Sequence, residues 1–327
     1  MVQLQLSVKR LQAIRFLDMN RIKEFIMRLK LALLIPLLAF CTGAGNSSAT
    51  AADGDALQVE QVVKIPAIPK KLSFAVEDVP LNYFDVKESL QRELMVISYW
   101  HASITYIIQL NNRYRDEIVK ILKEEGLHED FYYLCIAESG LQPVVSPANA
   151  GGYWQFLAGT AKEYGLIVDA EVDERYNIEK STRAAAAYFK KAFAEFGSWT
   201  MAAASFNIGM SNVRYRMKIQ SQNNYYDTQF PEETGRYVYR ALAFKILLED
   251  PKAFGFYIGK DDLFKPLEYS EITVKGRVDN WSDFASKHNT NFKLLKMYNQ
   301  WIRANKLENK PGRTYVVKVP AEGYREQ

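Results

Sequence analysis

From about residue 81 to residue 251 the apolar side chains recur at helical spacing, and no strong strand pattern interrupts them. That run excludes a sheet-built architecture for most of the chain and predicts one mostly helical domain. Tyr114, Ile118, Ile121 and Leu122 mark one face of a helix that Gly126 ends. Ser181 is placed to cap a helix carrying Phe189, Phe193 and Phe196 on one side, which Gly197 ends. Further helices are expected over residues 199–206 and 233–248. After about residue 265 the texture changes. EITVKGRV (271–278) and RTYVVKV (313–319) read as strands, with two short helices between them marked by Trp281, Phe284 and Ala285, then Phe292, Leu295 and Tyr298. The expected fold class is therefore mainly α, with a small strand-helix-helix-strand module over residues 266–321.

Ahead of the helical region, residues 52–80 carry Pro66, Pro69 and Pro80 without a helical period, and read as an extended linker. The first 51 residues read as an N-terminal extension and export signal: Arg28 and Lys30 precede the apolar run LALLIPLLAFC (31–41), too short to span a bilayer comfortably. Met27 opens that pattern and is a candidate start. Ala49-Thr50-Ala51 offers a cleavage site, while Cys41 sits where a lipoprotein cysteine would, after the bulky Phe40. Membrane association is expected only if Cys41 is lipidated. The formal charge of +4 belongs to this segment, since the residues from Ala52 onward hold 35 basic and 36 acidic side chains. Nucleic acid is thus not an expected partner. With three histidines and two cysteines in 327 residues and no cluster of them, neither a zinc site nor an internal disulfide is expected, and no cofactor motif is present.

The chemistry concentrates in DFYYLCIAESG (130–140), where Phe131, Leu134, Cys135 and Glu138 fall within about 60° on one helical face. A carboxyl on an apolar stripe is costly to ionise, so its pKa should rise, as a general acid near neutral pH requires. A structural glutamate paired with an unseen Arg or Lys fits the same stretch. Cys135, on the same face, reads as core.

Downstream segments follow in a specific order: ESG (138–140), SPANAGGYWQF (146–156), TAKEYGL (160–166), DERYNIEKSTRAAAAYF (173–189), AAASFNIG (202–209) and ETGRYV (233–238). Together they resemble the catalytic domain of lytic murein transglycosylases of the membrane-bound D type, whose fold is akin to goose-type lysozyme. The resemblance covers about residues 81–258, within an expected catalytic domain of residues 81–262, and the tail is similar to a degenerate LysM repeat. It implies that Glu138 is the catalytic acid/base, and that Ser139, Gln155, Phe206, Asn207 and Tyr237 occupy the family's substrate positions. Tyr153 and Trp154 offer ring faces to sugars, with core packing as their alternative; for Phe156 core packing is the expectation. The implied substrate is peptidoglycan glycan strands in the cell envelope or periplasm of a Gram-negative bacterium. The implied reaction cleaves the β-1,4 bond to form 1,6-anhydro-muramic acid. A hydrolytic muramidase on the same fold and a non-catalytic murein-binding protein are the alternatives. Two departures stand out. Phe206 replaces the usual tyrosine and lacks its hydroxyl, and Tyr153 replaces the usual leucine.

Overall fold

The computed structural model describes residues 64–326; the signal segment, Cys41 and the first part of the linker lie outside the described residues. The chain enters through a short antiparallel hairpin, β1 (Ser73–Phe74) and β2 (Glu77–Asp78). Eight α-helices follow: α1 (Phe84–Ser98), α2 (His101–Glu124), α3 (Phe131–Ser139), α4 (Ala158–Glu163), α5 (Ile178–Phe196), α6 (Trp199–Ile208), α7 (Met210–Gln220) and α8 (Glu232–Glu249). The C-terminal module is β3 (Tyr269–Val274), α9 (Trp281–Lys287), α10 (Phe292–Tyr298) and β4 (Tyr315–Pro320), with β3 and β4 antiparallel and Val274 opposite Tyr315. The strand-helix-helix-strand order is as expected; β3 starts two and ends four residues before its sequence-derived limits, and β4 starts two and ends one residue after them.

The second half of the expected linker is not a linker. Phe74 is buried edge-on against Phe131, and the Ala75 N–H donates to Asp130 at 2.9 Å. Glu77 accepts from the backbone N–H groups of Trp199 and Thr200, satisfying free donors at the start of α6. Ala75 and Val76 both take the left-handed conformation that a tight hairpin turn needs. None of this has a helical period, and every partner is 50 or more residues away. The start of α5 also differs from expectation. Asn177 caps it, accepting from the Lys180 N–H at 3.0 Å, and the Ser181 hydroxyl lies a turn inside, donating to the Asn177 carbonyl.

The central element is α3, which packs against α2 and α8. Phe131, Tyr132, Tyr133, Leu134, Cys135 and Ile136 are all buried, so only the last turn, at Ala137 and Glu138, is partly open and the single apolar stripe understates the helix's surroundings. Gly140 ends it in a left-handed turn, its N–H on the Ile136 carbonyl at 2.8 Å. A second buried cluster joins the C-terminal module (Trp281, Leu295, Trp301, Ile302, Tyr315) to Val172 and Tyr176 of the helical part.

Candidate active site

Because α3 is short and buried along its first six residues, Glu138 arrives at its end with its backbone fixed and its carboxyl at the mouth of the core. It opens on a cleft of about 680 Å³. One wall is the loop carrying Gln155 and Phe156. The facing wall is α8, with Glu233, Tyr237 and Arg240, and the α6–α7 junction adds Phe206 and Asn207. The Tyr237 hydroxyl donates to Glu138 Oε1 at 2.6 Å. Burial pushes the Glu138 carboxyl up to about 7, against the lowering effect of the Tyr237 hydrogen bond, while the Glu233 charge raises it and Arg240 lowers it. The Tyr237 phenol is buried and pushed well above its usual range, so it stays a donor. Arg240 reaches back toward Glu93, a buried carboxylate of α1 that Arg236 also holds at 2.6 Å.

The glutamine wall is built differently. Gly152 lies at φ +79°, and a Cβ there would meet the Arg175 carbonyl at 1.8 Å, so no other residue fits. Asp173 grips Arg175 by two nitrogens (2.9 and 2.7 Å), and Arg175 Nη1 donates to the carbonyls of Asn149 and Phe156, both at 2.9 Å. This frame holds Gln155 in the left-handed region at φ +49°, at a cost of about 1 kcal/mol for a non-glycine residue.

The expected site residues divide. Glu138, Gln155, Phe206, Asn207 and Tyr237 come together in the cleft. Gln155 donates its amide nitrogen to the Gly152 and Val144 carbonyls (2.7 and 3.0 Å), and Asn207 accepts the Thr234 hydroxyl at 2.7 Å. The Phe206 ring packs among Phe156, Tyr188 and Phe189, at 4.8–5.3 Å between centroids. Three residues lie elsewhere. Trp154 is wholly buried, its indole N–H on Thr182 at 2.9 Å, because the turn at Gly152 aims it into the core. Tyr153 points to the opposite side, where its hydroxyl donates to Gln300 at 2.8 Å in a groove of about 890 Å³ beside the C-terminal module. Ser139 is buried and its hydroxyl donates back to the Cys135 carbonyl at 3.3 Å, one turn up its own helix. Cys135 is a buried free thiol.

Sequence reasoning missed Arg175 and Asp173, Glu233, Arg240, and the buried Glu93 behind them. The close spacing of Asp173 and Arg175 was a visible signal of an ion pair; nothing local told what the pair would hold.

Residues 117–229 match the family described as transglycosylase SLT domain, and residues 270–323 match the soluble lytic transglycosylase C-terminal LysM-like domain. Membrane-bound lytic murein transglycosylase D from Escherichia coli strains K12 and O6:H1 is in each case 26% identical over 248 residues, 74% of this chain and 53% of the relative. The chain thus spans about half the length of the curated relatives it matches. An inactive mutant of the lytic transglycosylase Slt from Pseudomonas aeruginosa aligns with a TM-score of 0.38 at 20% identity, over 56% of this chain and 31% of that one. The chain is similar in sequence to the lytic murein transglycosylases, one segment resembling the SLT domain and a later one the LysM-like domain. The SLT match contains Glu138, Gln155 and Asn207 and stops before α8, so Glu233, Tyr237 and Arg240 lie beyond it.

Proposed function

We propose that the chain is a peptidoglycan lytic transglycosylase, cleaving the β-1,4 bond between N-acetylmuramic acid and N-acetylglucosamine and closing a 1,6-anhydro ring on the muramic acid. Residues 81–262, extended forward by the Ser73–Asp78 hairpin, are its catalytic region, and residues 266–321 its LysM-like module. The observation that carries the reading is the Glu138–Tyr237 pair at the base of the cleft. Glycosidic cleavage needs a proton on the leaving oxygen as an oxocarbenium-like centre develops. A carboxyl that titrates near 7 is substantially protonated at neutral pH. The Tyr237 hydroxyl occupies Oε1, which leaves Oε2 to carry that proton and deliver it. Once the proton has gone, the same hydrogen bond and the nearby Arg240 stabilise the carboxylate. Glu138 can then act as base toward the muramic acid's C6 hydroxyl, whose tethering to the reacting ring replaces an activated water. Gln155, Asn207 and the Phe206 ring position the sugar.

Glu233, exposed in the same cleft and acting on the Glu138 charge, favours a second reading. A second carboxylate could activate water and make the enzyme a hydrolytic muramidase. Mass spectrometry of digested sacculi separates the two: anhydro-muramic ends are expected from wild type and from Glu233→Gln. Reducing ends alone, lost in Glu233→Gln, would establish hydrolysis. Equal, negligible release by wild type and Glu138→Gln would leave a murein-binding protein.

The relatives are named membrane-bound and murein-acting, and we place this protein in the cell envelope. Among the described residues no helix is long and apolar enough to cross a membrane. Export and lipidation at Cys41 remain the reading of the sequence.

A further inference from the structure

The loop after α10 is bonded to the back of the glutamine wall at several points. Gln300 Oε1 accepts the hydroxyl of Tyr153, two residues before Gln155, at 2.8 Å. The Trp301 carbonyl accepts the Asp173 N–H, and the Arg303 N–H donates to the Glu171 carbonyl, both at 2.8 Å. The Arg303 guanidinium lies 4.5 Å over the Tyr176 ring. Val172 and Tyr176 are buried in the same core as Trp301 and Ile302. Asp173 is the residue that grips Arg175, and Arg175 carries the Phe156 and Asn149 carbonyls. Two routes therefore run from this loop to the cleft. One passes through Tyr153, the other through Asp173 and Arg175, and they meet on either side of Gln155. A left-handed non-glycine residue persists only where its surroundings over-determine it, and here part of those surroundings belongs to the C-terminal module.

We propose that residues 300–303 of the LysM-like module are positioning residues for the active site, bracing Gln155 and Phe156 from behind. The module is then a structural part of the cleft wall, and not a tethered binding domain alone. The catalytic consequence rests on the glycan-cleft reading above; the brace does not. Loss of the brace loosens the glutamine wall and leaves the Glu138–Tyr237 side untouched.

The test is hydrogen exchange together with murein kinetics on the full chain, comparing Gln300→Ala, Tyr153→Phe and Gln300→Glu. Removing one neutral hydrogen bond should speed exchange at the Gly151, Gly152 and Gln155 amides by about tenfold, with amides of α3 and of β3–β4 unchanged. KM for sacculi should rise by a similar factor, while kcat and the alkaline limb of its pH profile hold. Gln300→Glu keeps an acceptor for the Tyr153 hydroxyl and should rescue both readouts. The Tyr153→Phe/Gln300→Ala double variant should be no worse than either single one, as expected for two halves of one contact. Unchanged exchange over residues 151–155 in a folded Gln300→Ala protein would overturn the brace, and so would loosening spread over the whole module. If wild type cleaves no murein, the proposed activity fails, while the exchange pattern still decides the brace.

Discussion

The two walls of the cleft are held in place by opposite means. On the acid side, Glu138 and Tyr237 stand on two packed helices, and one hydrogen bond of 2.6 Å joins them. Position follows there from burial, since an enclosed helix can move its terminal carboxyl very little. On the glutamine side the chain is a loop outside any helix or extended strand, pinned by isolated bridges of Gly151 to Val145 and Phe156 and by the buried Trp154. Its place is also set by a buried ion pair, a glycine no side chain could replace, and a contact with Gln300, 147 residues beyond Tyr153. The acid side therefore puts its electrostatics at risk when altered, and the glutamine side its geometry.

Variants can pull the two apart. The largest effect is expected from Glu138→Gln, which removes the proton donor and should lower turnover of sacculi by about 100-fold or more with the fold intact. Arg175→Ala should act in the reverse sense. It strands Asp173 in a buried site, so thermal or denaturant unfolding should show a loss of about 3 kcal/mol or more, with the cleft loop failing first.

The third prediction concerns stability against pH. Because the folded protein holds the Glu138 proton up to about 7, the unfolded chain releases it first. This residue's contribution to stability is then full at acid pH and declines as the pH rises from about 4.5 to about 7. Relative to wild type, Glu138→Gln should thus gain up to about 3 kcal/mol between pH 4 and pH 8. A flat difference across that range would mean the carboxyl is not perturbed. Smallest is Tyr237→Phe, which deletes a hydrogen bond that lowers the Glu138 pKa. The alkaline limb of the activity profile should move above its wild-type position near 7 while kcat falls by about tenfold, since the Glu138 carboxylate left after proton transfer loses a donor. Movement of that limb in Arg175→Ala or Gln300→Ala would show the two walls to be coupled.

Glu138 on its apolar stripe, the stop at Gly140 and the core placement of Cys135 were legible because each shows in spacing within two helical turns, whereas the pKa rise was legible only in direction, the burial that drives it coming from α2 and α8. The order of the C-terminal module was legible for the same reason: alternation and helical spacing are local properties. The directions of Tyr153 and Trp154 were not, and Gln155 was assigned to the cleft by motif resemblance alone. Three consecutive residues with large side chains point respectively to the groove, the core and the cleft, and spacing cannot assign them. Their directions come from the turn at Gly152, and that turn is pressed against the Arg175 carbonyl. The hairpin at residues 73–78 was hidden likewise. Phe74 and Glu77 look unremarkable in a proline-marked stretch until α3 and α6 supply a core and a set of unsatisfied N–H groups.

Local pattern and motif order were thus enough to specify a helical domain, a small strand-bearing tail and one acidic residue poised at a helix end. Tertiary packing decided the rest: a Tyr237 hydroxyl on that acid, Glu233 and Arg240 around it, and an opposing wall braced from the tail. The division has a physical cause. Periodicity and helix stops are written over a few residues, whereas a buried charge or a left-handed glutamine is tolerated only when groups far along the chain arrive to satisfy it.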